Sequence, residues 1–247
     1  MDKVDEIIRK WKELDDVNKP IDLDYLDISS VPNLPRELRH LCIYSCNIKI
    51  LDNIPPLVKT LSCRDCNIES VNNLPKKLKH LNLQNNKINI LNELPISLKS
   101  LDICNNLFEV LPILPAKLKY LIVSNNKLTK IEYLPPKLIE LQCSDNNINS
   151  ICTLPDTLKY LYVANNKLNY LPPLPHKLHW LDFYKNNISM LLNIPKSLKF
   201  LLCGDNPVPI ELQDVPSEQL IYDGFYSKSE HKDKIMKWKK YIKDHSI

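Results

Sequence analysis

The side chains best able to do covalent or metal chemistry here are eight cysteines and six histidines in a chain of 247 residues. A zinc site gathers His and Cys at short, fixed spacings around one ion. No His-Cys grouping has that spacing, and histidines such as His40 and His80 are scattered, so no metal and no cofactor are implied. Ser-His-Asp, nucleophile-elbow and paired-carboxylate patterns do not stand out either. Two glycines, Gly204 and Gly224, leave no room for most phosphate-binding loops, whose backbone must come close to the anion. The chemistry that remains is non-covalent. It resides in aromatic and cationic side chains that recur at regular intervals, and the elements between them must explain why.

Proline stands at 35, 55, 75, 95, 115, 135, 155, 175 and 195, and leucine at 41, 61, 81, 101, 121, 141, 161, 181 and 201. The position two residues after that leucine is always apolar, from Ile43 to Cys203, and so is the position three before it, from Leu38 to Leu198. The phrase L-x-x-L-x-L-x-x-N-x-L-x-x-L-x-x-L-P thus recurs, and a fixed period is the mark of stacked units that bury one another's faces. Ile21, Leu23, Leu26, Ile28, Val31 and Leu34 add one degenerate copy in front. L-x-L alternates with period two and predicts a short strand with one face buried. The Asn that follows sits where the chain leaves the strand, and its amide can serve backbone groups that no ladder reaches. Asn126 is therefore expected to be buried and hydrogen-bonded, and Asn125 to face solvent. Leu-Pro fixes φ and predicts an extended or polyproline-like return. Nineteen prolines against two glycines further predict turns set by restricted φ.

This register accounts for most of the cysteines. Cys63, Cys143 and Cys203 take the inward strand position, Cys46 and Cys66 the Asn position, and Cys152 follows an apolar return residue. Cys42 and Cys104 point to the open face. An array built this way needs no disulfide, which suits a reducing compartment.

VSNNKL at 123–128 and YLPPKL at 133–138 give the wording its closest parallel. The chain resembles the leucine-rich repeat proteins, and within them the bacterial class that includes secreted effectors and the repeat half of IpaH-type ubiquitin ligases. The resemblance covers about residues 21–206. It implies a horseshoe-shaped solenoid with a long parallel β-sheet on the concave face and an extended convex side. Short helical caps are expected at both ends, because an open solenoid end exposes core. Residues 1–20 form the first cap, with Val4, Ile7, Ile8, Trp11 and Leu14 at helical spacing over 2–16. Residues 21–206 form the array of about ten repeats, and 207–247 the second cap, where Ile235, Trp238 and Ile242 share one face of a basic helix at 229–244. The next Val-Pro pair comes at 215 and 216, one residue late. IpaH-type ligases use a catalytic Cys in a C-x-D motif, and Cys203-Gly204-Asp205 has that form. Cys203 is held by the register as core, however, and only about forty residues follow, so a fragment of a ligase ranks third among the readings.

The sequence therefore reads as a non-enzymatic scaffold that binds a partner protein on its sheet. Outward positions are mostly small and polar in the first half and turn apolar later: Tyr120, Ile122, Tyr160, Tyr162, Trp180, Tyr184, Phe200 and Leu202. Large exposed apolar patches mark interaction sites, and Tyr and Trp are common anchors there; the rival occupant is the C-terminal cap itself. A second stripe, Arg39, Lys59, Lys79, Lys99, Lys119, Lys159 and Lys199, gives the alternative of a polyanion or nucleic-acid binding module. A net charge of +4 does not by itself call for nucleic acid. The charged N-terminus lacks a secretory signal and no apolar run spans a membrane, so a cytoplasmic site is expected, by resemblance inside a host cell. Abundant Asn, Ile and Lys fit an AT-rich genome, of an intracellular bacterium or of a large DNA virus.

Overall fold

The structure, a computed structural model, describes residues 3–191, 193–207 and 220–222. Its contacts divide the chain into two compact units, Met1–Lys127 and Leu128–Ile247.

The first unit opens with helix α1 (Lys3–Glu13), whose first turn carries Asp5 and Glu6 and whose last turn carries Lys10 and Lys12, as the helix dipole favours. Val4 and Trp11 are buried, and the indole Nε1 of Trp11 donates to Lys19 O at 2.9 Å. The helix is shorter than the amphipathic pattern suggests. It stops before Leu14, which is 60% exposed, and Asp15 takes a φ of 48° as the chain turns away.

Six short strands then line up in parallel: β1 (Ile21–Asp22), β2 (His40–Tyr44), β4 (Thr60–Arg64), β6 (His80–Asn82), β7 (Ser100–Asp102) and β8 (Tyr120–Ile122). Every pairing joins residues twenty apart, as in Leu41↔Leu61, Leu61↔Leu81, Leu81↔Leu101 and Leu101↔Leu121. These leucines are at most 2% exposed, while the residues beside them are half-buried or exposed. Fully burying one such side chain stabilises the fold by roughly 1.5–3 kcal/mol, and the period repeats that gain in each coil. On the return side, β3 (Ile50–Leu51) pairs with β5 (Ser70–Val71). The degenerate N-terminal copy is a true coil, since Ile21 pairs with Leu41 and Leu23 N donates to Cys42 O at 2.9 Å.

The second unit repeats the design. Its sheet runs β10 (Glu140–Gln142), β12 (Tyr160–Tyr162), β13 (Trp180–Asp182), β14 (Phe200–Leu202) and β15 (Leu220–Tyr222), and β9 (Lys130–Ile131) pairs with β11 (Ser150–Ile151) behind it. Phe200↔Leu220 keeps the spacing of twenty past residue 206, although the proline has slipped by one. Strand register follows the interstrand hydrogen bonds and not the proline. The expected C-terminal helix, with Ile235, Trp238 and Ile242, lies outside the described residues.

Each repeat proline, from Pro35 to Pro195, accepts a hydrogen bond at its carbonyl from the N–H three residues on, at 2.9–3.2 Å. The return is thus an extended segment closed by one turn. The turn that leaves the strand corrects the expectation of restricted φ. Tyr25, Ser45, Asp65, Asn85, Asn105, Asn125, Asp145, Asn165, Lys185 and Asp205 all have φ between 50° and 58°. Asn and Asp, which fill seven of these ten positions, tolerate this left-handed region better than other residues with a Cβ, so glycine is not needed.

Candidate functional site

In the second unit the strand pairing sets Tyr160, Trp180 and Phe200 side by side on the outward face of the sheet. The rings touch. Trp180 and Phe200 lie with centroids 4.6 Å apart at 32°, and Tyr162 meets Trp180 at 5.8 Å and 35°. Tyr160 meets His179 edge-on, at 6.3 Å and 69°. All four rings of the row are half-buried. The Trp180 Nε1 is buried and has no hydrogen-bond partner among the described residues. Leu202 stands beside Asp182 in the next column. Burial raises the Asp182 carboxyl, as does Asp145, against the bond that its Oδ1 accepts from Tyr184 N at 3.0 Å. Tyr184 is turned to the end of the coil, where its hydroxyl donates to Asp205 Oδ2 at 2.6 Å.

Tyr120 and Ile122 belong to the first unit, beside Ser100 and Asp102, with Tyr120 40% exposed. That unit carries a ring group of its own. Tyr25 packs edge-on against Tyr44, at 5.0 Å and 89°, and the Arg64 guanidinium lies over the Tyr44 ring at 5.4 Å. Sequence reasoning missed this group, because Tyr25 falls in the degenerate copy and the neighbouring outward positions read as polar.

The cation stripe is divided. In the first unit Arg39, Lys59, Lys79, Lys99 and Lys119 follow one another without a gap, whereas in the second the same position reads Ile139, Lys159, His179, Lys199. Burial, Lys199 and Lys159 together lower the His179 imidazole.

Burial sets the chemistry of several cysteines. Contrary to the expectation that no C-x-x-C pair occurs, Cys63 and Cys66 make one, and both are buried. Burial pushes the Cys66 thiol up to about 11 and Cys63 well above its ordinary value, so thiolate is disfavoured. Cys66 Sγ instead donates to Arg64 O at 3.1 Å and Ile43 O at 3.6 Å, the task of the Asn it replaces. Cys42, on the outward face, is pushed up to about 11 by burial and by Asp22. Cys203 is buried on the inward side. Among the described residues no group of His, Cys, Asp and Glu could hold a metal ion.

What aligns both faces is a ladder of amides. Asn126 Nδ2 donates to Ile103 O, Val123 O and Ser124 O at 3.0, 3.1 and 3.2 Å, and its Oδ1 accepts from Phe108 N at 3.0 Å. Asn106 and Asn86 do the same in the first unit, and Asn166 and Asn186 in the second. Each amide ties its own turn to the preceding coil, one rung per twenty residues, behind a parallel strand. This is a leucine-rich repeat protein.

The repeat protein matches solved structures of the same fold. It is 27% identical to the "leucine-rich effector protein" YopM from Yersinia pestis, with a TM-score of 0.76 over 89% of this chain and 69% of that one. A second YopM, from Yersinia enterocolitica WA-314, gives 24% identity and a TM-score of 0.54 over 87% of this chain; the repeat protein spans 66% of that chain. The LRR domain of a Shigella effector gives 26% and 0.50, over 84% and 77%. No family model and no curated protein sequence matches the chain.

Proposed function

We propose that this repeat protein is a non-enzymatic scaffold that binds a partner protein on the outward face of its sheet, and that the ring row of the second unit is the anchor. One observation carries the reading: Trp180 packs between Tyr162 and Phe200 on the outward side of the strand, away from the repeat core. Aromatic residues there stand outside the inward leucine column, and they are the residue types in which binding energy concentrates. The likeness to YopM and to the Shigella effector supports an effector role inside a host cell. The eight free thiols suit a reducing cytoplasm. No helix among the described residues is long and apolar enough to cross a membrane.

The test is capture from host-cell lysate by the full chain and by Trp180→Ala and Phe200→Ala. Each substitution should reduce the specific partner by about tenfold or more. Ile113→Ser, at an apolar residue 89% exposed in the first unit, should leave it unchanged. Equal capture by all variants would overturn the assignment. A large gain on removing residues 223–247 would assign the patch to the chain's own C-terminal segment.

A further inference from the structure

The cations of the first unit form a row whose cost the fold does not explain. Arg39, Lys59, Lys79, Lys99 and Lys119 stand at the entry of successive strands. The N–H of each later residue donates to the carbonyl of the one before at 2.7–2.8 Å. The side chains are therefore one strand spacing apart, about 4.8 Å, and the row is about 19 Å long. Like charges opposite one another on neighbouring strands are destabilising. Lysine often guards an exposed sheet edge against unwanted pairing, but here the N–H and carbonyl of Lys59, Lys79 and Lys99 are already paired to adjoining coils. The ion pairs among the described residues, Arg9–Glu13, Lys10–Glu6 and Lys130–Glu132, include none of the row. Arg39 reaches a neutral acceptor, Asn18 Oδ1, at 3.0 Å. The field is felt nearby: burial lowers the His80 imidazole, and Lys99, Lys79 and His40 lower it further.

The surroundings restrict what could neutralise this row. Further along the coils of the first unit stand Asp22 and Asp24, on the coil before the row, and Asp65 and Asp102, on the coils of Lys59 and Lys99. From Lys99 to Asp102 is three strand steps, about 10 Å, so the positive strip is narrow. A nucleic-acid duplex, with backbones flanking a groove about 12 Å wide, would set one backbone against the carboxylates. A single strand binds through runs of stacked rings, while the column beside the cations reads His40, Thr60, His80, Ser100 and Tyr120, so that its rings alternate with hydroxyls and no two adjoin. An extended peptide is narrow enough. It carries charge every ~3.3 Å or, on one side, every ~6.6 Å, and the flexible lysine stems absorb the difference in spacing.

We propose that the Arg39–Lys119 row of the first unit docks an extended, acidic segment of a partner protein. The site is separate from the ring row and stands without it. The probe is a fluorescent glutamate-rich peptide of about six to twelve residues, set against a thymidine oligonucleotide of equal charge. Both are titrated into the full chain by anisotropy at several salt concentrations. The peptide should bind, more weakly as salt rises. The quadruple variant Lys59→Gln, Lys79→Gln, Lys99→Gln, Lys119→Gln should lose about tenfold or more. The matched control Lys127→Gln, Lys137→Gln, Lys167→Gln, Lys177→Gln, at exposed sites off the row, should lose less than about threefold. Circular dichroism verifies that each variant folds, and Lys79→Glu alone gives the same direction if the quadruple does not. Tighter binding of the oligonucleotide, an equal loss in the control, or no peptide binding at low salt would each overturn the proposal.

Discussion

At the scale of single residues, two adjacent asparagines do different work. Asn126 spends its amide on four backbone groups, and a group left buried without a partner costs roughly 1–3 kcal/mol. Asn126→Leu is close in volume and removes all four bonds, so the melting temperature should fall by several degrees. Asn125 is exposed, yet it is not indifferent, because its φ is 53°. Asn125→Leu should cost about 1–2 kcal/mol from the left-handed backbone, and Asn125→Gly close to nothing. Thermal melts of the three variants rank them in that order. A silent Asn125→Leu would contradict the turn geometry.

At the scale of the element, the strands end on a side chain that caps them. Asp102 Oδ1 accepts from Cys104 N and Asp182 Oδ1 from Tyr184 N, both at 3.0 Å, and Asn82 Oδ1 does the same for Gln84 N at 2.9 Å. The bond thus does not require a charge, and in both aspartates burial outweighs it and raises the carboxyl above its ordinary value. A raised folded-state value means that the native chain holds the proton more tightly than the unfolded chain does. These groups therefore destabilise the fold above their raised values, and that penalty fades as pH falls through the window down to the ordinary value of about 4. Asp182→Asn keeps the cap and removes the charge. Its melting temperature should exceed the parent's at pH 7, with the gain shrinking toward pH 4. A gain that instead grows on acidification would reverse the sign of this account.

At the scale of the whole molecule, each coil leans on its neighbours and the contacts fall into two units. Stability in such an array is close to a sum of local terms. Leu181 is fully buried in the second unit, and Leu181→Ala should cost about 2–5 kcal/mol. Hydrogen exchange should then speed up most in β10, β12, β13 and β14, and least in β1, β2 and β4. Uniform loss of protection across both groups of strands would mean that the chain unfolds as one cooperative block.

The repeat phrase alone determined the period, the inward column from Leu41 to Leu201 and the burial of Asn126. It could do so because each coil meets copies of itself, so that a local pattern is at once a statement about tertiary neighbours. Three features were decided only by the tertiary structure. The left-handed turn at Asn85, Asn125 and their equivalents was hidden, because an exposed Asn in a polar run looks like any solvated residue until its φ is known. The continuation of the sheet at Leu220 was masked by a displaced proline, although hydrogen bonds between strands set the register. The outward face was legible as a set of positions but not as contacts. Which rings meet Trp180 depends on side-chain rotamers and diagonal neighbours, which a twenty-residue spacing does not encode.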